Sequence, residues 1–192
     1  MFYDEKNKCG IDVEVCPEGS RRINKPSNND VEEILMIENV IIRPFSNSDL
    51  NDFKAMFRTY FRDDFEIEIT DEKIDEICLK IGRDSNSGLI PLDLLLIDEK
   101  PVGFICYQID TPDSNWCERE GWGFIREIYV RPDLRGKHLG STLVAHAENA
   151  LHSNGAEQIY LTSDEIGKFW ISRGYRKTDK VSEINHFRIY EK

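Results

Sequence analysis

The segment that most constrains this chain is a strand that leads through a basic, glycine-containing turn into a helix. Residues 122–130 read WGFIREIYV and residues 131–143 read RPDLRGKHLGSTL. An apolar residue then recurs at every fourth position from Leu139 to Leu151, which is typical of a helix with one buried face. A turn that enters a helix aims several backbone N–H groups at one point, where the helix dipole favours negative charge. The segment therefore predicts a phosphate-binding loop.

The turn combines backbone freedom with positive charge. Gly136 and Gly140 let the backbone approach a phosphate closely, and Arg135 and Lys137 add charge-assisted donors. His138 stands in the middle of the turn, and it retains the backbone N–H that a phosphate needs. We expect its imidazole to lie in solvent and its backbone to have helical dihedral angles. The alternative is a basic turn whose glycines only permit the bend.

Length and charge restrict the class of protein. A chain of 192 residues suffices for one well-buried core with an appendage. The net charge of −11 and the pI near 4.9 argue against binding of nucleic acid through its phosphates. No apolar run approaches the roughly 18 residues of a membrane span, and the N-terminus has no signal-peptide core. We therefore expect a cytoplasmic protein with no nucleic-acid or membrane partner.

The five cysteines are scattered at positions 9, 16, 78, 106 and 117. They fit no metal-ligand spacing, and the four histidines have no supporting ligand spacing either. Cys78 and Cys106 fall within apolar patterns, which favours reduced structural thiols and disfavours a covalent acyl-enzyme at Cys106. We expect no metal site.

Residues 1–38 differ in character from the rest of the chain. Residues 11–15 alternate apolar and acidic side chains as a half-buried strand does, and residues 17–30 are rich in turn formers. The sequence predicts an N-terminal extension and linker over 1–38 and one domain over 39–192. Whether this arm packs on the domain or pairs with a second subunit to form a homodimer stays open.

The remaining pattern predicts a sheet with helices on its faces. Ser46 and Asp49 have the spacing of a capping box, and Thr70 can cap a second helix. Strands are predicted at 39–45, 92–98, 102–109, 122–130, 158–162 and 188–191, and helices after Ser46, after Thr70, from Leu139 and over 163–173. The fold class is therefore α/β with a mixed sheet.

This order of elements resembles the GNAT superfamily of acyl-CoA-dependent N-acyltransferases. That family carries R/Q-x-x-G-x-G/A between its fourth strand and third helix, and residues 135–140 read RGKHLG. Its last helix ends with an aromatic pair and a glycine-aromatic step, matched by Phe169-Trp170 and Gly174-Tyr175. The resemblance implies a twisted, mostly antiparallel central sheet flanked by helices. Residues 1–38 have no counterpart in it.

The resemblance also implies acetyl-CoA as co-substrate and an amine as acceptor. The pantetheine would bond backbone groups of Ile128, Tyr129 and Val130. The residues that would hold the pyrophosphate are Arg135, Gly136, Lys137, His138, Leu139, Gly140 and Ser141. His138 departs from the motif, because it stands where the family prefers glycine.

Glu127 is the candidate catalytic base. Attack by an amine requires removal of a proton, and Glu127 interrupts an otherwise apolar strand. Strand alternation places it on one face with Ile125 and Tyr129. The alternative is a salt bridge, for instance with Arg126 or Arg131.

Two further departures concern the general acid. Trp170 stands where the family often has a tyrosine that protonates the leaving thiolate, and Asp164 stands where an asparagine is common. Tyr129, Tyr160 and Tyr175 are alternatives, although each is typical of a core or sheet aromatic. The favoured function is an N-acetyltransferase that works by direct attack in a ternary complex. The other function left open is a degenerate acyl-CoA-binding sensor.

Acidic residues suggest the acceptor. In GNAT folds, the segments that correspond to residues 61–76 and to the loop before strand four commonly border the acceptor side of the cleft. The first segment contains Asp63, Asp64, Glu66, Glu68, Asp71, Glu72, Asp75 and Glu76, and the second contains Asp110, Asp113, Glu118 and Glu120 beside Trp116 and Trp122. Carboxylates with aromatic rings suit a cationic small molecule or peptide. The alternative is a solvated acidic face.

Overall fold

A seven-stranded sheet organises the chain in the computed structural model, which describes residues 39–114, 117–163 and 167–192. The strands are β1 Val40–Pro44, β2 Leu92–Ile97, β3 Lys100–Ile109, β4 Gly123–Val130, β5 Ile159–Ser163, β6 Arg176–Val181 and β7 Arg188–Glu191. The helices are α1 Leu50–Thr59, α2 Asp71–Asn86, α3 Leu139–Ser153 and α4 Lys168–Ser172. The predictions for the arm 1–38, Trp116 and Asp164 lie outside the described residues.

The strand order is β1-β2-β3-β4-β5-β7-β6. Neighbouring strands pair antiparallel, with the exception of β4 and β5, which pair in parallel. This confirms the predicted mixed, mostly antiparallel sheet flanked by helices. The division of the chain at residue 38 stays a prediction.

Two apolar clusters cover the two faces of the sheet. On one face α3 packs against β3, β4 and β5, with Leu143, Val144 and Ala147 buried beside Ile105 and Ile125. On the other face α1 and α2 pack against β2 and β3, and this cluster is rich in phenylalanine. The sheet is therefore a buried central layer whose strand β4 contributes side chains to both clusters.

The predicted starts of the first two helices are confirmed. Ser46 and Asp49 form the capping box, with the Ser46 N–H donating to the Asp49 carboxylate at 2.8 Å. The Thr70 hydroxyl accepts from the backbone N–H of Lys73 at 3.3 Å at the start of α2. One feature was not predicted: after α1 the chain continues as a π-helical turn, Tyr60–Asp64. Such turns are rare and are found frequently at functional sites.

Several predicted boundaries were wrong. The β2–β3 hairpin turns at Asp98 and Glu99, both at positive φ, so Pro101 lies inside β3. Ser163 ends β5, and α4 begins only at Lys168, so the helix predicted over 163–173 is shorter. Strand β6 was missed because its sequence RKTDKV carries almost no apolar signal and its side chains are mostly exposed. Polar side chains suffice for a strand at the edge of the sheet.

Candidate active site

Strands β4 and β5 run together for only three residue pairs. Gly123, Phe124 and Ile125 pair with Ile159, Tyr160 and Leu161. Residues 127–130 of β4 are paired with β3 on their other side but have no register partner in β5. Because the two strands separate there, one edge of β4 borders a gap in the sheet. That gap leads toward the turn between β4 and α3.

A β-bulge in β4 changes the orientation of Glu127. The pairing with β3 shifts register between Cys106, which opposes Glu127, and Tyr107, which opposes Ile125. Ile125 and Ile128 consequently belong to the α3-side cluster, whereas Tyr129 belongs to the α1-side cluster. The expectation that Glu127 shares a face with Ile125 was therefore wrong, because the extra residue interrupts the alternation.

The Glu127 carboxylate lies on the α1 side, where Tyr60 reaches it. The Tyr60 hydroxyl donates to Glu127 Oε2 at 2.6 Å. Tyr60 itself is fully buried and packs edge-on against Tyr129, with ring centroids 5.7 Å apart. A hydrogen bond to an ionised carboxylate stabilises that form. Tyr60 was not singled out from the sequence, because its helical spacing is that of a core residue.

A cleft of about 220 Å³ opens where β4 ends and α3 begins. Its wall includes nine of the ten predicted coenzyme-binding residues, namely Ile128, Tyr129, Val130, Arg135, Gly136, His138, Leu139, Gly140 and Ser141. Lys137 is not part of this wall. Sequence reasoning missed Leu134, Phe169, Ser172 and Arg173, which complete it. Glu127 does not line the cleft but directly precedes the three β4 residues that do.

The first turn of α3 presents its backbone N–H groups to the cleft wall. The first backbone bond of this helix runs from the Thr142 N–H to the His138 carbonyl, at 3.1 Å. The N–H groups of residues 139–141 therefore precede the helical ladder and have no partner within it. An anion in the cleft would meet these donors and the positive end of the helix dipole.

His138 has a conformation that differs from the prediction. It precedes α3 with φ 63° and ψ 5°, which is left-handed rather than right-handed helical backbone. This region favours glycine, because a Cβ crowds the following carbonyl. The side chain is exposed, as expected. His138 stands at the motif position where the family prefers glycine. Its backbone has the positive φ that glycine adopts easily.

The Arg135 side chain is held by the protein itself. Its Nη2 donates to both carboxylate oxygens of Asp64, at 2.9 and 2.7 Å, and its Nε donates to the Val130 carbonyl at 2.8 Å. The Asp64 side chain is only 4% exposed. Arg135 therefore joins the turn after β4 to the π-helical turn. We expected its guanidinium to be a donor to phosphate; its Nε and Nη2 donate to the Val130 carbonyl and the Asp64 carboxylate.

The tyrosines considered as general acids differ in position. Tyr129 lines the cleft, and burial above all raises its pKa to about 12. The Tyr160 hydroxyl donates to the buried Asp110, and Tyr175 packs in the α3-side cluster beside Trp170. Trp170 is fully buried and does not line the cleft. Burial also raises the pKa of the Cys106 thiol, which disfavours a nucleophilic thiolate.

The comparison with protein families follows this geometry. The model of the family described as "Acetyltransferase (GNAT) family" matches residues 50–177, which is more than half of the chain. The chain belongs to this family. The GNAT match covers β4, the cleft-forming turn and α3 together.

Individual relatives agree with the family assignment. An aminoalkylphosphonate N-acetyltransferase of Salmonella typhimurium is 30% identical over 102 residues, which is 50% of this chain and 58% of that protein. The crystal structure of the PaiA N-acetyltransferase of Thermoplasma acidophilum with coenzyme A superposes with a TM-score of 0.63 at 21% identity, covering 81% of this chain and 99% of that one. A ribosomal-protein-alanine N-acetyltransferase of Brucella melitensis gives 0.61 at 14% identity, covering 79% and 98%. The two solved structures establish the GNAT fold.

Much of the acidic charge on the expected acceptor side of this GNAT chain is already paired. Five of the eight carboxylates in residues 61–76 lie in ion pairs, namely Asp63, Asp64, Asp71, Asp75 and Glu76. Asp110 is buried and accepts from Tyr160 and Gln108, and Arg119 covers the Trp122 ring at 5.3 Å. Glu66, Glu68 and Glu72 are exposed. The segments thus offer a free cation fewer carboxylates than their sequence suggests.

Within residues 39–114, 117–163 and 167–192, no group of three or more His, Cys, Asp or Glu side chains is arranged to hold a metal ion. Among the same residues, no helix has the length and apolar character needed to cross a bilayer.

Proposed function

We propose that this chain transfers an acetyl group from acetyl-CoA to a primary amine by direct attack in a ternary complex. The observation that carries the proposal is the cleft at the end of β4. It brings together the edge of β4 that β5 leaves, the glycine-containing turn and the first turn of α3. This arrangement supports the coenzyme placement that the GNAT resemblance implies, with the diphosphate at the turn and an extended arm along β4.

The residues of the cleft suit the two parts of acetyl-CoA. Backbone N–H groups of residues 139–141, together with the turn at Gly136 and His138, would bind the diphosphate. Backbone groups of Ile128 and Tyr129 at the open edge of β4 would bind the pantetheine arm. Lys137, between Gly136 and His138 in the turn, adds positive charge to it. Acetyl-CoA supplies the activated acetyl group.

Glu127 is proposed as the general base. It would take a proton from the acceptor's ammonium group, directly or through water. A bond then forms between the neutral amine nitrogen and the acetyl carbon, and the bond from that carbon to sulfur breaks. The proton that the nitrogen loses as the amide forms goes to the departing thiolate. Tyr60 fixes the orientation of the Glu127 carboxylate by its 2.6 Å hydrogen bond. The bulge in β4 supports this role, because it directs Glu127 toward the Tyr60 side.

The leaving thiolate does not need a protein acid. An ordinary thiol has a pKa of about 8.5, so a thiolate is stable enough to depart near neutral pH. Tyr129 is the tyrosine of the three candidates that lines the cleft, and its pKa of about 12 makes it a poor donor to such a thiolate. The burial of Trp170 is therefore compatible with turnover.

The acceptor proposed from the sequence is a cationic small molecule or peptide. The net charge of −11 and the exposed Glu66, Glu68 and Glu72 support it. A second candidate is an aminoalkylphosphonate, favoured by the Salmonella relative, whose name gives that acceptor. Both candidates present a primary amine to the same base. They differ in the charge of the remainder of the molecule.

The test measures thiol release from acetyl-CoA with a panel of primary amines. The panel contains a polyamine, a basic peptide, an aminoalkylphosphonate and a neutral alkylamine, each at low and high salt. If the acceptor is cationic, kcat/KM should rise with the positive charge of the acceptor and fall as the salt concentration is raised. A preference for the aminoalkylphosphonate supports the second candidate. Acetyl-CoA binding without thiol release for every amine would establish the sensor function instead and overturn the proposal.

Variants then test the base. Glu127→Gln should retain acetyl-CoA binding and lower kcat by about 100-fold at neutral pH, with partial recovery at high pH, where more of the amine is already neutral. Tyr60→Phe should lower kcat by a smaller factor, because the carboxylate remains but loses a hydrogen bond. The exposed Glu157→Gln is the matched control. If Glu127→Gln keeps the kcat of the wild type, Glu127 is not the base and has only a structural role.

A further inference from the structure

Arg173 occupies a place in the cleft that the family motif does not predict. It follows the last residue of α4 and lines the cleft together with Phe169 and Ser172. Helix α4 lies next to the first turn of α3: a Cβ built on Gly140 would be 3.5 Å from the Phe169 ring, an ordinary van der Waals contact. The C-terminal end of α4 therefore forms a wall of the same cleft as the backbone N–H groups of residues 139–141.

The Arg173 guanidinium is incompletely bonded by the protein. Its Nε is buried and has no hydrogen-bond partner among the described residues. A buried donor without an acceptor is costly, and most such donors in folded proteins are paired. Arg173 also lines the cleft, so a turn of its side chain toward an acceptor there would bring this donor a partner. A phosphate oxygen matches the planar, charged donor fork of arginine particularly well.

Other cations near the cleft are less available. The Arg135 guanidinium bonds both oxygens of Asp64. Arg131, which precedes the turn, bonds both oxygens of Asp133, at 2.7 and 3.0 Å. Lys137 does not line the cleft. Among the cleft-lining residues that the structure describes, Arg173 is thus an arginine whose Nε has no hydrogen-bond partner in the protein. The protein around it has a strongly negative net charge.

We propose that Arg173 binds a phosphate group of the coenzyme. This inference rests on the proposed function, because it requires acetyl-CoA in the cleft. The guanidinium would donate from the α4 side while the first turn of α3 donates from the other, so that the phosphate lies between a side-chain cation and a row of backbone N–H groups. Sequence reasoning had no signal for it, since a lone arginine before Gly174 resembles an ordinary charge at the end of a helix.

A phosphonate group has the same chemistry as a phosphate and could come from an acceptor instead. The experiment therefore separates the two sources. Dissociation constants for coenzyme A and for dephospho-coenzyme A, which lacks the 3′-phosphate, are measured by calorimetry for the wild type, Arg173→Gln and Arg173→Lys. The matched control is Arg176→Gln, whose side chain is 74% exposed and pairs with Glu191 outside the cleft. Melting of each variant without ligand confirms that it is folded.

The expected result is a weakening of coenzyme A binding by about 10- to 100-fold in Arg173→Gln, the range for a charge-assisted hydrogen bond. Arg173→Lys should recover part of the loss, and Arg176→Gln should bind like the wild type. If Arg173 contacts the 3′-phosphate, the preference of the wild type for coenzyme A over dephospho-coenzyme A should disappear in Arg173→Gln. If it contacts the diphosphate, both ligands should weaken equally.

Other outcomes overturn the inference. A folded Arg173→Gln that binds coenzyme A within twofold of the wild type removes Arg173 from the phosphate site. A variant with unchanged coenzyme binding but a higher KM for an aminoalkylphosphonate alone would assign the phosphonate to Arg173 and reject the coenzyme. A wild-type protein that does not bind acetyl-CoA would overturn the proposed function, and the inference with it.

Discussion

Arg135 and Asp64 form an ion pair that joins the turn after β4 to the π-helical turn after α1, with one guanidinium nitrogen 2.7 and 2.9 Å from the two carboxylate oxygens. The π-helical turn begins with Tyr60, which bonds Glu127. This turn of five residues thus contacts the candidate base through Tyr60 and the candidate coenzyme loop through Asp64. The two halves of the proposed site are positioned by one short segment.

The ion pair predicts a loss of stability when Arg135 is replaced. Arg135→Gln would leave the Asp64 carboxylate, 4% exposed, without its charge partner. Removing one member of a buried pair costs about 3 kcal/mol of unfolding free energy. Urea unfolding measures it. In the double variant Asp64→Asn with Arg135→Gln we expect part of the loss to be recovered.

Arg58→Gln is the control for this prediction. It breaks a pair with Asp71 in which both side chains are largely exposed, 45% and 82%, so solvent screening should keep its effect small. An equal, small loss in both single variants would mean that the Arg135 pair contributes no more than a surface pair.

The left-handed backbone of His138 predicts a stabilising substitution. His138→Gly should raise the free energy of unfolding by up to about 1 kcal/mol, because glycine adopts positive φ without a steric penalty. Acetyl-CoA affinity should change by less than about twofold, since we assign only the backbone N–H to the ligand. Calorimetry and thermal unfolding measure the two effects. His138→Ala, which keeps the Cβ, is the control and should not be stabilised; a large loss of affinity in both variants would show that the imidazole binds the ligand.

The bonds of Asp49 predict that part of the free energy of unfolding is lost at acid pH. Its bonds to Arg43, both 2.7 Å, and to Ser46 lower its pKa from 3.8 to about 2. A lowered folded pKa stabilises the protein above the unfolded value and ceases to do so as pH falls toward 2. The contribution is about 1–2 kcal/mol, since the Arg43 side chain, 38% exposed, is screened by solvent.

The corresponding measurement compares unfolding free energies of wild type and Asp49→Asn from pH 6 to pH 2. The wild type should be more stable at pH 6, and the two proteins should converge at low pH. Asp52→Asn, an exposed change on the same helix, is the control and should show no such convergence. A constant difference across the range would mean that Asp49 contributes through packing rather than through its charge.

Whether a feature could be predicted from the sequence depends on how far apart along the chain the interacting residues lie. The capping residues Ser46 and Thr70 and the helix from Leu139 follow from patterns within a few neighbouring positions, since caps and helical faces are local. The nine cleft residues were implied by the resemblance to the GNAT superfamily. Strand β6 lacked such a pattern, because an edge strand needs no apolar face. Its place is decided by pairing with β7.

What the sequence by itself determined is the strand–turn–helix unit that forms the cleft, because backbone donors at a helix start depend only on local conformation. Only the tertiary structure decided which way Glu127 points, since the bulge opposite Cys106 and Tyr107 depends on how β3 and β4 pair. It also decided the partner of Arg135, which lies 71 positions away at Asp64. A charged side chain bonds whichever group the fold brings near, and separations of that length leave no periodicity to read.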